Sequence, residues 1–146
     1  RLMRYLGLDL GSKTLGIAIS DYSNTIASVV KTIRFSDEDY QSLIEPLGNI
    51  VKENDIQKIV LGYPLNMNGT VGMRAEICLD FKKMIEEQLN VSVDMEDERL
   101  TSVISNQILI EADLSRKKRK KKVDGLAAQL ILQSYLDRKG GIKNER

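Results

Sequence analysis

The stretch Arg4-Tyr5-Leu6-Gly7-Leu8-Asp9-Leu10-Gly11-Ser12-Lys13-Thr14-Leu15-Gly16-Ile17-Ala18-Ile19-Ser20-Asp21 decides how this chain folds. Two apolar runs, Arg4–Leu10 and Leu15–Ser20, flank a short turn that carries Gly11, which is the pattern of a β-hairpin. Asp9 ends the first run. A carboxylate on an apolar strand is costly to desolvate unless it meets a cation or hydrogen-bond donors. Gly7 and Gly11 flank it two residues away on either side. Glycine strips a strand face of side chains, so the expectation is that a ligand approaches Asp9 closely there.

Working outward, Ala27–Phe35 is rich in Val, Ile and Thr and extends the hairpin into a meander. Asp37–Asn54 has helical periodicity, with Leu43, Ile44, Leu47, Ile50 and Val51 on one face, and Pro46 predicts a kink or a late start. Ile56–Gly62 reads as a short buried strand, Leu65–Gly72 as a loop, and Met73–Leu89 as a helix with Ile77, Cys78, Phe81, Met84 and Ile85 inward. Val91–Glu96 alternates as a fifth strand. Leu100–Glu111 is expected to be helical. A basic run then interrupts, and Val123–Arg138 forms a last helix with Val123, Leu126, Ala127, Leu130 and Ile131 inward, ended by Gly140-Gly141. This order gives an α/β fold with an antiparallel meander followed by parallel crossovers. It is expected to form one domain over residues 3–139, with Arg1-Leu2 as foreign residues ahead of the start at Met3 and 140–146 as a frayed tail.

Composition narrows the chemistry. A chain of 146 residues that is 42% hydrophobic and 29% charged has enough apolar material for a real core. No apolar run reaches the ~18 residues of a membrane span, and no stretch reads as a signal peptide, so the default location is cytosolic. There is no histidine, which excludes Ser/His and Cys/His nucleophilic machinery and any His-ligated metal. The single Cys78 excludes an internal disulfide and a Cys-based zinc site, and reads as a core residue. Asp, Glu, Lys, Tyr or a bound hard cation such as magnesium or manganese remain. The net charge of +1 conceals a basic run, Arg116-Lys117-Lys118-Arg119-Lys120-Lys121-Lys122, without which acidic residues are in excess.

Three acidic positions could form one site. Asp9 is the first. Asp94, Glu96, Asp97 and Glu98 cluster at the end of the fifth strand, and ligands of parallel sheets bind beyond the strands' carboxyl ends. Asp124 falls in the first turn of the last helix, where Ala127 and Ala128 allow close packing on the sheet. Three such carboxylates could hold two divalent ions ~3.5–4 Å apart, one activating water and one stabilising the leaving oxygen. Blander readings compete: Asp124 as a helix-start carboxylate favoured by the dipole, and the 94–98 cluster as a solvated strand end. The residues alone do not choose among Glu96, Asp97 and Glu98. Lys13, Asn66, Arg74 and Arg99 are candidate nucleic-acid contacts, set against exposure, turn formation or internal ion pairing. The 116–122 run contains no aromatic residue, so it would track phosphates rather than stack on bases.

Four ordered motifs carry a resemblance. Gly7–Lys13 with Gly16–Asp21, Gly62-Tyr63-Pro64-Leu65-Asn66-Met67-Asn68-Gly69-Thr70 with Arg74-Ala75, Asp97-Glu98-Arg99-Leu100-Thr101-Ser102, and Lys122-Val123-Asp124 with Ala127-Ala128 together resemble the YqgF/RuvX family. Its members are described as Holliday junction resolvases or as nucleases that mature the precursor of 16S ribosomal RNA. The resemblance implies an RNase H-like fold: a mixed five-stranded central sheet with helices on both faces. It also implies Asp9, Glu98 and Asp124 as catalytic, metal-holding carboxylates, with structured RNA or branched DNA as partner. One departure is Thr14, where the family often has Arg, which bears on a phosphate contact there and not on the metal site. A junction resolvase needs two active sites, so monomer and homodimer both remain open. Two rivals stand beside this. Asp9-Leu10-Gly11 resembles the phosphate-meeting hairpin of actin-, Hsp70- and sugar-kinase-like ATPases, which need a second such domain. The basic run could instead serve a non-catalytic RNA- or ribosome-binding module.

Overall fold

A computed structural model describes residues 3–98 and 116–144, and within 116–124 and 140–144 it describes the backbone only. The hairpin forms: β1 (Arg4–Leu10) pairs antiparallel with β2 (Thr14–Ser20), placing Asp9 opposite Gly16. Gly11 N–H donates to the Thr14 carbonyl at 2.8 Å to close the turn. β3 (Ala27–Arg34) completes the meander on β2. β4 (Ile56–Tyr63) joins β1 in parallel and β5 (Ser92–Asp97) joins β4 in parallel, so the sheet order is β3-β2-β1-β4-β5. The carboxyl ends of β1, β4 and β5 therefore lie along one edge of the sheet.

The first helix starts late. A 3-10 turn at Tyr40–Leu43 leads into α1 (Ile44–Glu53), which puts Pro46 in the first turn, where its missing N–H costs nothing. Glu38 has a φ of 64°, which ends any helical path through the start expected at Asp37. α2 spans Met73–Leu89 as expected and is closed by Asn90 in the left-handed region, at φ 55°.

The last helix differs more. α3 runs from Arg116 to Asn144 without a break. The basic run is thus the first two turns of α3 rather than an interruption, in keeping with the good helix propensity of Lys and Arg. Asp124 lies two turns inside the helix, which removes the helix-start explanation for its charge. Gly140-Gly141 does not end the helix, because a glycine within a helix costs only ~1 kcal/mol. The buried face of α3 is Ala128, Ile131, Leu132, Tyr135 and Leu136, whereas Leu126, Ala127 and Leu130, expected inward, are half-exposed. Residues 99–115, including the expected helix at Leu100–Glu111, lie outside the described residues.

Two apolar layers result. Leu6, Leu8, Leu15, Ile17, Ile59 and Leu61 pack on one sheet face under α1 and α2, with Leu47, Phe81 and Ile85. Ala18 and Val60 pack on the other face under α3, with Ala128, Ile131 and Leu132. Gly7 faces α3: a Cβ there would stand 2.6 Å from Leu132 Cβ and 3.1 Å from the Ala128 carbonyl. The clearance expected for a ligand beside Asp9 is, at Gly7, clearance for the helix. Among the described residues no helix is long and apolar enough to cross a membrane.

Candidate active site

Strand alternation turns Asp9, two residues after Gly7, toward the same face as α3. Glu98 follows β5, and its N–H donates to the Tyr63 carbonyl at 3.2 Å, which extends the β4–β5 pairing one step past the strand. Its side chain lies over Gly62. A Cβ on Gly62 would meet Glu98 Oε2 at 2.7 Å, Glu98 Cδ at 2.8 Å and Ile131 Cδ1 at 2.7 Å. Only glycine leaves this slot open between β4 and α3, and through it Glu98 reaches a hydrogen bond with Asp9.

Burial first, then the charge of Asp9 and the hydrogen bond to it, pushes the Glu98 carboxyl up to about 8. Arg74 opposes the rise and Asp97 adds to it. Two carboxyls thus share a proton near neutrality, as close carboxylates must. Arg74, in the first turn of α2, donates from Nη2 to the Leu10 carbonyl at 2.8 Å, pinning the helix to the end of β1. Cys78, one turn further along α2, is buried, and desolvation, with the charges of Glu98 and Asp9, pushes its thiol up to about 12. It is therefore no nucleophile near neutral pH.

Two other carboxylates of the 94–98 cluster, Asp94 and Glu96, are engaged elsewhere. Asp94 accepts from Lys58 Nζ at 3.2 Å and from the Tyr135 hydroxyl. Glu96 is buried, accepts from Ser134 Oγ at 2.9 Å, and has Arg138 Nη1 2.7 Å from Oε1, as an ion pair outside the hydrogen-bonding angle. Both tie β5 to the C-terminal half of α3. Asp97 is half-buried at the end of β5, paired in register with Tyr63. Glu98, from the same cluster, is hydrogen-bonded to Asp9.

The remaining candidates are dispersed. Lys13 is exposed at the tip of the β1–β2 turn. Asn66 braces its own loop, donating to Thr70 Oγ1 at 3.0 Å and packing against Gly72. Arg99 lies outside the described residues, and the side chains of Asp124 and of Arg116–Lys122 lie outside the described side chains. The α3 backbone places Asp124 just before the buried Gly125, where a Cβ would stand 2.9 Å from Val29 Cγ1. Among the described residues no group of three ligand-type side chains assembles; Asp9 and Glu98 supply two. Sequence reasoning missed Gly62 as the residue that admits Glu98. Its signal was present, since a glycine inside a buried Val/Leu strand marks a close approach. It also missed the Asp94 and Glu96 tethers, whose partners are distant in sequence.

A mixed sheet in this order, covered by helices on both faces and carrying acidic side chains at the neighbouring ends of β1 and β5, defines an RNase H-like domain. Solved structures share the fold: RuvC of Thermus thermophilus in complex with a Holliday junction substrate matches at a TM-score of 0.55 and 12% identity, over 95% of this chain and 96% of that one. The fowlpox virus Holliday junction resolvase matches at 0.55 and 17% identity, over 93% and 99%. The family model RuvX, described as Holliday junction resolvase, matches residues 3–138, and the chain belongs to that family. Relatives named "Putative pre-16S rRNA nuclease" are 51% identical in Shouchella clausii strain KSM-K16, over 93% of this chain and 96% of the relative, and 49% identical in Bacillus subtilis strain 168, over 92% and 98%.

Proposed function

We propose that the chain is a cytoplasmic nuclease that hydrolyses phosphodiester bonds of structured nucleic acid at Asp9 and Glu98, with Asp124 completing the site. The observation that carries this reading is the Asp9–Glu98 pair, with Glu98 raised to about 8. Holding two carboxyls together is unfavourable unless something positive takes the place of the shared proton. The donor set fits a magnesium or manganese ion: it is all oxygen, the chain has no histidine, and Cys78 is buried. Such an ion, when bound, polarises a phosphoryl oxygen and lowers the pKa of water.

The chain's own residues do the rest. Gly62 holds open the slot that orients Glu98, and Arg74 fixes the end of β1 through the Leu10 carbonyl. Lys13 at the hairpin tip, Arg99 and the 116–122 run would hold phosphates. The relatives' names favour a ribosomal RNA precursor as substrate and the family's description favours a four-way junction. The junction would require a homodimer, whereas the precursor needs only a monomer.

Magnesium-dependent cleavage of both substrates tests the reading. Asp9→Asn is expected to reduce cleavage by ~1,000-fold, the scale on which removal of one essential charged group acts, while leaving the melting temperature unchanged or raised. Undiminished cleavage by this variant would remove Asp9 from the mechanism.

A further inference from the structure

Strand β3 ends on a cation that neither the core nor the carboxylate pair uses. Arg34 is its last residue and is exposed. Register fixes its place relative to Asp9. Asp9 pairs with Gly16 and Gly16 pairs with Thr32, so the three stand in one row across β1, β2 and β3. Arg34, two residues past Thr32, pairs with Thr14 and returns to the same sheet face, the one on which Asp9 and α3 lie. Neighbouring strands are ~4.8 Å apart and residues rise ~3.3 Å, so the Arg34 backbone stands ~12 Å from that of Asp9, across the sheet and towards its carboxyl edge.

The position is firmly held. Phe35 N–H donates to the Lys13 carbonyl at 2.9 Å, and the Phe35 ring lies 5.6 Å from that of Tyr40. Ile33, on the other side of Arg34, packs against the core. These contacts bring the end of β3 beside Lys13, which is also exposed. Among the described residues no ion pair or side-chain hydrogen bond engages either cation. Neighbouring like charges are unfavourable, and an anion between them removes the cost. Helix α3 points the same way. Gln133 Nε2 donates to the Thr25 carbonyl at 2.8 Å, Gln129 Nε2 to the Ala27 carbonyl at 3.0 Å, and Gly125 lies against Val29. Followed back towards its start, which is the basic run, α3 thus advances along β3 in the direction of Arg34.

We propose that Arg34 holds a backbone phosphate of the nucleic-acid strand that passes the carboxylates, with Lys13 beside it; this rests on the nuclease reading and extends the footprint from Asp9 across β2 to the outer edge of the sheet at β3. A strand carries one phosphate per ~3.4 Å of axis, so the contacted phosphate lies about three or four nucleotides from the one at Asp9. A contact to phosphate fixes register and carries no base preference.

Lys31 supplies an internal control. It lies on the same strand and is exposed, but it pairs with Ile17, which packs under α1 and α2. It therefore carries the same charge on the opposite face. The test is equilibrium binding by the full chain, with calcium in place of magnesium so that substrate is not consumed. The probes are a four-way DNA junction and a ribosomal RNA precursor fragment, intact or with single methylphosphonates, each of which removes one phosphate charge. Arg34→Gln is expected to weaken binding ~5-fold and to lower the salt slope by ~0.9, the value for one phosphate contact. Lys31→Gln should leave both unchanged, and Arg34→Lys should restore the slope. At one position a methylphosphonate should weaken wild type but not Arg34→Gln. Both side chains are exposed, so the melting temperatures are expected to hold. Equal losses in Arg34→Gln and Lys31→Gln, no loss in Arg34→Gln, or the lack of any methylphosphonate position to which Arg34→Gln is indifferent would overturn the proposal. If wild type binds neither nucleic acid, this proposal and the nuclease reading fall together. Arg34-dependent binding without magnesium-dependent cleavage supports the contact and removes only the nuclease reading. Cleavage that Asp9→Asn abolishes, with Arg34→Gln binding as wild type does, removes only the contact.

Discussion

Gly62→Ala separates the site from the fold. The added Cβ would stand 2.7 Å from Glu98 Oε2, 2.8 Å from Glu98 Cδ and 2.7 Å from Ile131 Cδ1. Comfortable contact is ~3.5–4.0 Å, so each neighbour must yield by about 1 Å. Both neighbours are ends of flexible side chains. The cheap response is for Glu98 to rotate out of its slot and Ile131 to change rotamer, at ~1 kcal/mol, the low end for overpacking. Gly7→Ala provides the contrast. Its Cβ would meet Leu132 Cβ at 2.6 Å and the Ala128 carbonyl at 3.1 Å, atoms that move only if α3 moves. That variant should cost ~3 kcal/mol. For Gly62→Ala the penalty should fall on catalysis, where a misplacement of ~1 Å can cost ~100-fold. Urea unfolding in EDTA gives the stabilities, and initial rates of magnesium-dependent cleavage give the activities. Gly62→Ala that cleaves at the wild-type rate, or that loses as much stability as Gly7→Ala, would refute the account of Glu98 and its slot.

Other outcomes follow from the same geometry. In EDTA the folded protein holds a proton on Glu98 that the unfolded chain releases above about 4.5, so stability should fall as pH rises from about 4.5 to about 8. At 1.36 kcal/mol per unit this is at most ~5 kcal/mol, and solvent access to a half-buried carboxyl reduces it to ~2. Calorimetry against pH should show the slope in wild type and its loss in Glu98→Gln; a flat wild-type profile would contradict the pairing. Arg138→Ala leaves the buried Glu96 carboxylate with only Ser134 and should cost ~2 kcal/mol by urea unfolding, discounted from the fully buried case because Arg138 itself is half-exposed; an unchanged midpoint would show that the ion pair contributes nothing. Replacing the lysines of the 116–122 run by glutamine should lower the salt dependence of nucleic-acid binding by ~0.9 for each phosphate no longer neutralised, and an unchanged slope would mark the run as a bystander.

What the sequence disclosed followed the range of the forces involved. The hairpin was legible because a period-two pattern and its turn are local. Met73–Leu89 was legible because its apolar stripe faces a single layer. The inward face of α3 was not, because Leu126, Ala127, Ala128, Leu130, Ile131 and Leu132 offer several overlapping stripes. The choice among them is made by Gly7 and Gly62, in strands more than sixty residues earlier, which leave gaps that Leu132 and Ile131 fill. The start of α3 was hidden because a run of like charge reads as a solvated loop although its residues are good helix formers. Glu98 could not be told from Glu96 or Asp97 by residue type, and the resemblance chose it; its hydrogen bond to Asp9 is geometric information that spacing does not contain.

The acidic cluster on β5 then has a physical logic. Asp94, Glu96 and Glu98 alternate onto the α3 face of the sheet. The first two are neutralised there, Asp94 by Lys58 and Tyr135 and Glu96 by Ser134 and Arg138. Those contacts lock β5 to the C-terminal half of α3, and they compensate charge that would otherwise add to the repulsion at Glu98. Gly7 and Gly62 let the same helix settle on β1, which carries Asp9, and on β4, the strand between β1 and β5. Strand β5 is thus held at one end by compensated carboxylates, so that the carboxylate at its other end is delivered to Asp9. The unfavourable meeting of two acids is therefore imposed by the packing of the whole sheet on α3, which is what the proposed exchange of a proton for a cation would require.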